Sequence, residues 1–268
     1  VVGLFGLAAL GGYVILHVTW HPDSAIQWGA GSAGALLYLL GFTRIHLPLN
    51  RRHPEAAILP QLGLSNSLTL VRGLLYGLLA GFIVVPLPSG GWAWVPGLVY
   101  TIASLTDLLD GRIARQRGET TDLGAKLDVE VDSVGILIAF LLGAKLGQLP
   151  VGFAVAGTLF YVYRFFLWGW TRSGGSVYRV PDRPWRSIIG GFEVGFLCVM
   201  LWPVFEPPYT TAAGIAVVIP VVLSFTWDGL VATGALRPGT PSHQQLLRWV
   251  RRAGQDFVPR LLRIGLGL

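Results

Sequence analysis

The sequence has few charged residues for its length, and this scarcity excludes an ordinary soluble domain. Only 13% of the 268 residues are charged, whereas 53% are hydrophobic and the mean hydropathy is +0.60. A soluble domain typically carries about 25% charged residues. Cysteine is almost absent as well, because Cys198 stands alone and no disulfide can form within the chain. We therefore predict a polytopic membrane protein whose fold needs no disulfide bond.

Acidic residues are outnumbered by basic ones, and the formal net charge is +6. In a soluble protein this balance would suggest nucleic acid as a partner, but here the basic residues lie between long apolar segments. We interpret them as topology determinants and as contacts for anionic lipid or phosphate, and we predict no nucleic-acid partner. Because the sequence begins at Val1 and not at Met, we expect its true start to lie upstream. We interpret the first apolar segment as an anchor that is kept.

Apolar segments recur along the chain, and eight of them are candidate membrane spans. The predicted fold is all-α, a polytopic membrane helical bundle. Residues 1–47 are predicted to form an N-terminal transmembrane hairpin of two extra helices, followed by an interfacial connector over residues 48–65. A six-helix core is predicted over residues 66–235, and a basic amphipathic tail over residues 236–268.

Basic residues are distributed unevenly between the two ends of these spans. One side holds Arg51, Arg52, the basic loop of residues 111–117, the arginine-rich stretch 172–186 and the tail, whereas the other side holds only Lys145. Positive charge marks the cytoplasmic side of a membrane protein. The sequence therefore predicts a multi-pass integral membrane protein with both termini in the cytoplasm.

Acidic residues interrupt the apolar sequence between residues 107 and 132, a segment called the aspartate motif below. Asp107 and Asp110 are three residues apart and Ala114 follows Asp107 by seven, so that these three share one face of a helix. Asp128 and Asp132 are four residues apart and share a face of a second helix. Four carboxylates could therefore converge from two neighbouring helices.

Between the two acidic pairs the sequence favours a turn and a new helix start. Gly118, Gly124 and the run Thr120-Thr121-Asp122 carry this signal. Acidic groups at a membrane boundary are costly unless they are paired or bound to a cation, so they indicate a functional site. A helical hairpin with a solvated acidic face is the alternative, but it explains neither the small residues nor the apolar flanks.

The spacing of the aspartate motif resembles the signature of the CDP-alcohol phosphotransferase family at every fixed position. The matching residues are Asp107, Asp110, Gly111, Ala114, Arg115, Gly124, Asp128 and Asp132. Members of this family join an alcohol to a phosphate taken from a CDP-linked donor. The resemblance implies a membrane-bound phosphotransferase of phospholipid synthesis with a six-helix catalytic core over residues 66–235, and the uneven distribution of basic residues predicts that its active site faces the cytoplasm.

The resemblance also implies a divalent-metal cofactor. Its ligands would be Asp107, Asp110, Asp128 and Asp132, and Asp132 would in addition act as the catalytic general base. All-oxygen ligands suit Mg²⁺ or Mn²⁺ better than Zn²⁺, and one or two ions fit such a site.

The donor-binding residues implied by the family are small or polar. Gly111, Ala114 and Gly124 lack bulk, which lets the cytidine approach the helix backbone, and Asp110 and Arg115 lie beside them. Asn66, Thr69 and Arg72 are three residues apart and form one polar stripe at the start of the first core helix. Family members carry a similar pattern beside the nucleotide, although a helix cap and a snorkelling arginine would also explain it.

Arginines are the predicted ligands of the acceptor. Arg164, Arg179, Arg183 and Arg186 lie in or near the polar stretch 172–186 and are predicted to bind an anionic, phosphorylated alcohol. A topology-setting loop is the alternative. The predicted partners are a CDP-linked lipid donor, a polar alcohol acceptor and membrane lipids, and the sequence leaves a homodimer open.

Three other functions stay open at this level. The enzyme could use a soluble CDP-choline or CDP-ethanolamine donor with a lipid alcohol as acceptor, since the same signature serves both reactions. Intramembrane aspartates could instead form the ion path of a cation or solute transporter, although transporters place such sites near the midplane. An inactive relative is the third alternative, and the intact motif argues against it.

Overall fold

The computed structural model describes residues 2–20, 22–117 and 120–236, and for residues 108–117 it describes the backbone alone. The described residues contain no strand, and this confirms the predicted all-α bundle. Their eight α-helices are α1 (Val2–Thr19), α2 (Pro22–His46), α3 (Gly63–Val84), α4 (Val95–Arg117), α5 (Asp122–Lys145), α6 (Leu159–Arg172), α7 (Pro184–Met200) and α8 (Tyr209–Ala232). Nearly all of the predicted basic tail, residues 237–268, lies outside the described residues.

Five helical segments are long and apolar enough to cross a membrane, which agrees with an integral membrane protein. They are Val2–Thr19, Pro22–Leu49, Gly63–Val84, Val151–Arg172 and Tyr209–Ala232. Helices α4 and α5 fall outside this group because they carry the charges of the aspartate motif, and α7 has 17 residues. The second helix begins at Pro22, and proline is well tolerated in the first turn of a helix.

Helix α3 lies at the centre of its neighbours and packs against α2, α4 and α5, while α1 packs against α2. Small residues allow the close approach of α3 to α2. A Cβ on Gly77 would collide with Leu36, and a Cβ on Gly81 would lie 2.5 Å from the hydroxyl of Ser32. Such small-residue contacts let membrane helices pack closely. The two N-terminal helices are therefore joined to the core through α2 and α3.

Lys145 fixes the relative direction of α3 and α5. Its ammonium group, at the last residue of α5, donates to the carbonyl oxygen of Ile83 at 2.6 Å and to that of Val85. A cation at the C-terminal end of a helix satisfies its last carbonyl groups. The ends of α3 and α5 thus lie together, and the starts of both helices lie at the opposite end, where α4 finishes.

Contacts divide the chain into two compact units. Among the described residues, the first comprises those within 2–159 and 187–221, and the second comprises 160–186 and 222–236. Within the second unit the amide of Tyr178 donates to the carbonyl oxygen of Ala232 at 2.8 Å, and the rings of Tyr163 and Phe225 lie 5.7 Å apart. These contacts join the loop 173–183 and the first half of α6 to the last part of α8.

Candidate active site

The polar stripe at the start of α3 faces protein and not solvent. Asn66, Thr69 and Arg72 are each at most 3% exposed. The side-chain amide of Asn66 donates to Thr121 Oγ1 at 3.1 Å and to Asn50 Oδ1 at 3.3 Å. The stripe therefore connects α3 to the start of α5 and to the connector that precedes α3.

Helix α5 begins where the sequence predicts a helix start. Thr121 is the N-cap, and its hydroxyl oxygen accepts a hydrogen bond from the amide of Gly124 at 3.0 Å. A threonine at this position satisfies one of the free amide groups of the first helical turn. The amide of Asp122 donates to the carbonyl oxygen of Arg51 at 3.0 Å, so that the connector holds the start of α5 as well.

Three aspartates of the motif converge between α4 and α5. Asp107 on α4 and Asp128 and Asp132 on α5 each offer one carboxylate oxygen, and these three atoms lie within 4.8 Å of one another. The side chains are between 40% and 48% exposed. Asp128 and Asp132 come together because residues four apart share a helix face. The three residues are called the aspartate cluster below.

Arg72 binds all three members of the aspartate cluster. Its guanidinium group forms ion pairs with Asp107 and Asp128 and lies 3.1 Å from Asp132 Oδ1. The Arg72 side chain is fully buried. A buried charge needs a partner, and a planar guanidinium can reach several carboxylates at once. The pairing was missed from the sequence, although a lone arginine on an apolar helix already indicates that an acidic partner exists.

The net charge of the aspartate cluster with Arg72 is negative, which favours the binding of a cation. Three carboxylates and one guanidinium sum to a formal charge of −2. Arg72 approaches Oδ1 of each aspartate, and each carboxylate also has a second oxygen. Partly exposed, all-oxygen ligands with excess negative charge suit Mg²⁺ or Mn²⁺. The residues present therefore fit a divalent metal ion.

Part of the motif lies where no side chains are described. Asp110, Gly111, Ala114 and Arg115 belong to α4, but their side chains are outside the described part of the structure. Their roles as metal ligand and donor-binding residues stay predictions. The structure does place Gly124, the other small residue of the motif, directly against Asn66.

Gly124 is required by the packing of α5 against α3. A Cβ at this position would collide with Asn66 Oδ1 and would lie 3.2 Å from Thr121 Oγ1. We expect Gly124→Ala to lower the free energy of unfolding by about 1–2 kcal/mol, because it disturbs the N-cap and its hydrogen bonds. The measurement is thermal unfolding of the detergent-solubilised protein.

Gly34→Ala is the matched control, since a Cβ on this exposed glycine of α2 would meet nothing within 4 Å. It should be neutral or stabilising, because alanine favours a helix. Equal unfolding temperatures for the two variants would contradict the packing argument.

The predicted acceptor arginines lie in the second unit, and two of them bind one aspartate. Arg183 Nη2 lies 3.0 Å from Asp228 Oδ1, and Arg186 Nη1 lies 3.7 Å from Asp228 Oδ2. Asp228 is 4% exposed, and sequence reasoning did not assign it this role. Arg164 and Arg179 are exposed. Asp228 therefore holds the guanidinium groups of two of the four predicted residues.

Arg183 is held by aromatic rings as well as by charge. Its guanidinium carbon lies 5.5 Å from the ring centre of Trp185 and 5.2 Å from that of Trp227. Burial lowers the pKa of the Arg183 guanidinium from its ordinary value, and Asp228 acts in the opposite direction. Arg183 thus contributes to the packing of the second unit, whereas the side chain of Arg186 is 62% exposed and accessible to a ligand.

The fold and the site together define a class of protein, a polytopic helical bundle with an aspartate cluster between two consecutive helices. The family profile described as CDP-alcohol phosphatidyltransferase matches residues 62–231, more than half of the chain. The chain therefore belongs to this family of transferases, as the aspartate motif indicates. The two N-terminal helices precede the matched region.

Several curated relatives share the name CDP-diacylglycerol--glycerol-3-phosphate 3-phosphatidyltransferase. The protein of Salmonella choleraesuis (strain SC-B67) is 38% identical over 85 residues, which is 31% of this chain and 44% of that protein. The protein of Wigglesworthia glossinidia brevipalpis is 32% identical over 82 residues, with the same coverage. The chain thus spans less than half the length of these relatives. No solved structure matches the chain.

Proposed function

We propose that this protein transfers a phosphatidyl group from a CDP-linked lipid to a polar alcohol and releases CMP, as a step of phospholipid synthesis. The observation that carries the proposal is the aspartate cluster, three carboxylate oxygens within 4.8 Å of one another in a chain of this family. CDP-diacylglycerol is the proposed donor and glycerol 3-phosphate the first proposed acceptor, because the relatives' names specify them.

The aspartate cluster is the proposed metal site, with Asp110 as a fourth ligand. A bound Mg²⁺ or Mn²⁺ would neutralise phosphate oxygens of the donor. Arg72 keeps the three carboxylates together, since its guanidinium contacts each of them. Without a compensating cation, the acidic cluster would repel the pyrophosphate of the donor.

Asp132 is the proposed general base. It accepts the proton of the acceptor hydroxyl while the hydroxyl oxygen forms a bond to the phosphorus that carries the lipid. The bond between that phosphorus and the oxygen of CMP breaks, and CMP leaves with the electron pair. A carboxylate can perform this step when the reactants are held in line, because positioning supplies much of the rate. Gly111, Ala114, Arg115 and Gly124 are proposed to border the nucleotide, whereas Asn66 and Thr69, the other predicted donor-binding residues, are buried and face protein.

The distribution of arginines favours an active site on the cytoplasmic side of the membrane. Arg51, whose carbonyl oxygen accepts from Asp122, and Arg52 lie at the same end of the first unit as the start of α5. Lys145 lies at the opposite end, beside Ile83 and Val85. A cytoplasmic site would also meet the water-soluble acceptor directly.

The test is release of CMP by the purified protein with each donor and a panel of acceptors. We expect CMP from CDP-diacylglycerol with glycerol 3-phosphate, at a rate that depends on Mg²⁺ or Mn²⁺. Release from CDP-choline or CDP-ethanolamine with diacylglycerol, and not from CDP-diacylglycerol, would assign the reaction to the soluble-donor type. Absence of CMP with every pair would contradict an enzyme and favour the transporter alternative.

Arg186 is a proposed acceptor ligand whose side chain is 62% exposed, and its replacement tests the proposal of an anionic acceptor. We expect Arg186→Ala to raise the KM for glycerol 3-phosphate about tenfold, because a charge-assisted hydrogen bond contributes about 1.5–3 kcal/mol. The KM for the CDP-lipid should stay unchanged. Steady-state kinetics with each substrate varied in turn gives both constants.

Arg52→Ala is the matched control, since Arg52 is an exposed arginine of the connector that precedes α3. It should alter neither constant. If Arg186→Ala behaves like this control, the stretch 172–186 sets topology and the acceptor is bound elsewhere. A rise in the donor constant alone would assign Arg186 to the CDP phosphates.

A further inference from the structure

A wholly apolar cavity lies between the two N-terminal helices and the start of the core. Its volume is about 170 Å³, and no polar atom is exposed inside it. The lining residues come from α1, α2, α3, α4 and the turn before α4: Gly12, Ile15, Leu16, Trp28, Leu75, Leu78, Leu79, Phe82, Trp92, Val95 and Val99. A lining that exposes no polar atom offers no hydrogen-bond partner to water or to a polar group, so it suits a hydrocarbon.

An apolar stripe on α3 connects this cavity to the level of the aspartate cluster. Leu68, Val71, Leu75 and Leu78 follow one another at intervals of three and four residues, share one side of the helix and are each partly exposed. Leu68 and Val71 lie at the level of the polar stripe and of Arg72, whereas Leu75 and Leu78 line the cavity. A hydrocarbon chain could therefore pass from the site to the cavity without meeting a polar side chain of this stripe.

Helix α4 continues the same path on the opposite wall. Val95 and Val99 line the cavity, and Ile102 follows at the next position of their stripe, 45% exposed and five residues before Asp107. The side chains of these three residues occupy one side of α4 because they are four and three residues apart. Helix α4, which carries Asp107, and helix α3, which carries Arg72, thus both contribute apolar walls to the cavity.

The path along α3 runs from the level of Arg72 to the end of the helix, where the carbonyl oxygen of Ile83 accepts from Lys145. From Arg72 to Phe82 the helix rises about 15 Å, at 1.5 Å per residue. Aromatic rings lie at the far end, where Trp20 stacks on Trp92 at 5.9 Å and on Phe82 at 6.4 Å between ring centres.

We propose that the cavity holds the distal part of an acyl chain of the CDP-linked lipid donor. This inference rests on the proposed function and assigns part of the donor to helices outside the family match, since α1 and α2 supply Gly12, Ile15, Leu16 and Trp28. The apolar lining offers no polar partner to the headgroup. The N-terminal helices are therefore part of the donor site and make donor binding depend on the length of the acyl chain.

The test compares CDP-lipids with long and short acyl chains in a variant whose cavity is filled. Val99→Phe adds an aromatic ring to the cavity wall, and Leu98→Phe adds the same ring one residue away on a face that is 48% exposed. We expect Val99→Phe to raise the KM for a dipalmitoyl donor about fivefold and to leave the KM for a dihexanoyl donor unchanged. The added ring occupies space that only the long chain reaches, so the effect is steric. It is modest because the displaced chain moves into lipid tails, which are as apolar as the cavity. Leu98→Phe should change neither KM.

Equal constants for Val99→Phe and Leu98→Phe, or equal rises for both donors, would overturn the inference while leaving the proposed function intact. If Val99→Phe fails to fold, Leu78→Trp on the α3 wall replaces it and is interpreted in the same way. Absence of CMP from every CDP-lipid would instead contradict the proposed function.

Photolabelling tests whether the acyl chain of the donor occupies the cavity, and it does not depend on turnover. A CDP-lipid with a diazirine at the end of its acyl chain should label peptides that contain Leu75–Phe82 and Val95–Val99 in the wild type, and less in Val99→Phe. A label that is absent there, or that a phospholipid without CDP produces equally well, would overturn the inference.

Discussion

Asp128→Asn is expected to lower turnover about a thousandfold, the loss that accompanies removal of a main electrostatic element of an active site. The substitution keeps the shape of the side chain but removes one of the three negative charges, so that the cluster with Arg72 falls from a formal −2 to −1. A neutral amide is also a weaker ligand for Mg²⁺ than a carboxylate. The measurement is the rate of CMP release at saturating donor and acceptor.

Asp122→Asn is the matched control for this prediction. Asp122 lies on the same helix, 39% exposed, and pairs with Arg51 at 3.8 Å outside the aspartate cluster. An exposed ion pair of this kind contributes little to stability, and we expect the variant to keep most of its turnover. Comparable losses in both variants would show that the effect comes from the helix and not from the cluster.

Arg72→Ala is expected to make the folded protein depend on divalent cations. Removing the buried guanidinium leaves three carboxylates within 4.8 Å of one another, and it also removes the only charge described at the cluster that offsets them. We expect a loss of about 3 kcal/mol in the metal-free protein, at the low end for a broken buried pair because the aspartates are partly exposed. Adding Mg²⁺ should recover more stability in the variant than in the wild type, since ligand binding stabilises the folded state.

Two further variants test why Arg72→Ala changes the stability and its response to Mg²⁺. Arg72→Lys distinguishes the lost charge from the lost planar contacts, and Arg51→Ala is a control at another arginine. Lysine restores a positive charge but cannot contact three carboxylates with a planar group, so that we expect an intermediate stability. Arg51→Ala removes an arginine that is 30% exposed and should leave the response to Mg²⁺ unchanged. The measurement is the unfolding temperature with EDTA and with Mg²⁺. A response of Arg72→Ala equal to that of the wild type would show that Arg72 does not balance the cluster.

Local patterns in the sequence were sufficient to predict the helix face that Asp128 and Asp132 share and the start of α5. Asp128 and Asp132 share a face because of helical periodicity alone, and Thr121 begins α5 because a hydroxyl accepts from the first amide groups. These rules act within one turn of a helix. The number of helices followed for the same reason, since apolar segments and turn residues are local features.

Contacts between distant helices could not be predicted in this way. Arg72 pairs with Asp128, 56 residues later, and Arg183 pairs with Asp228, 45 residues later. Each partner was visible as an isolated charge, but no local rule selects one partner among several. Gly124 was predicted to admit the nucleotide, and the structure shows that its neighbour is Asn66. The apolar cavity depends on five segments at once, so the sequence of any single helix gives no sign of it.

Direct binding of Mn²⁺ tests the central claim that the aspartate cluster is a divalent-metal site. Electron paramagnetic resonance measures free Mn²⁺ during a titration of the purified protein without substrates. We expect saturable binding to the wild type, weaker by about tenfold or more in Asp107→Asn and in Asp128→Asn because each loses a charged ligand. Asp122→Asn should bind like the wild type. Equal binding by all four proteins, or no binding to the wild type with and without a CDP-lipid, would contradict the account.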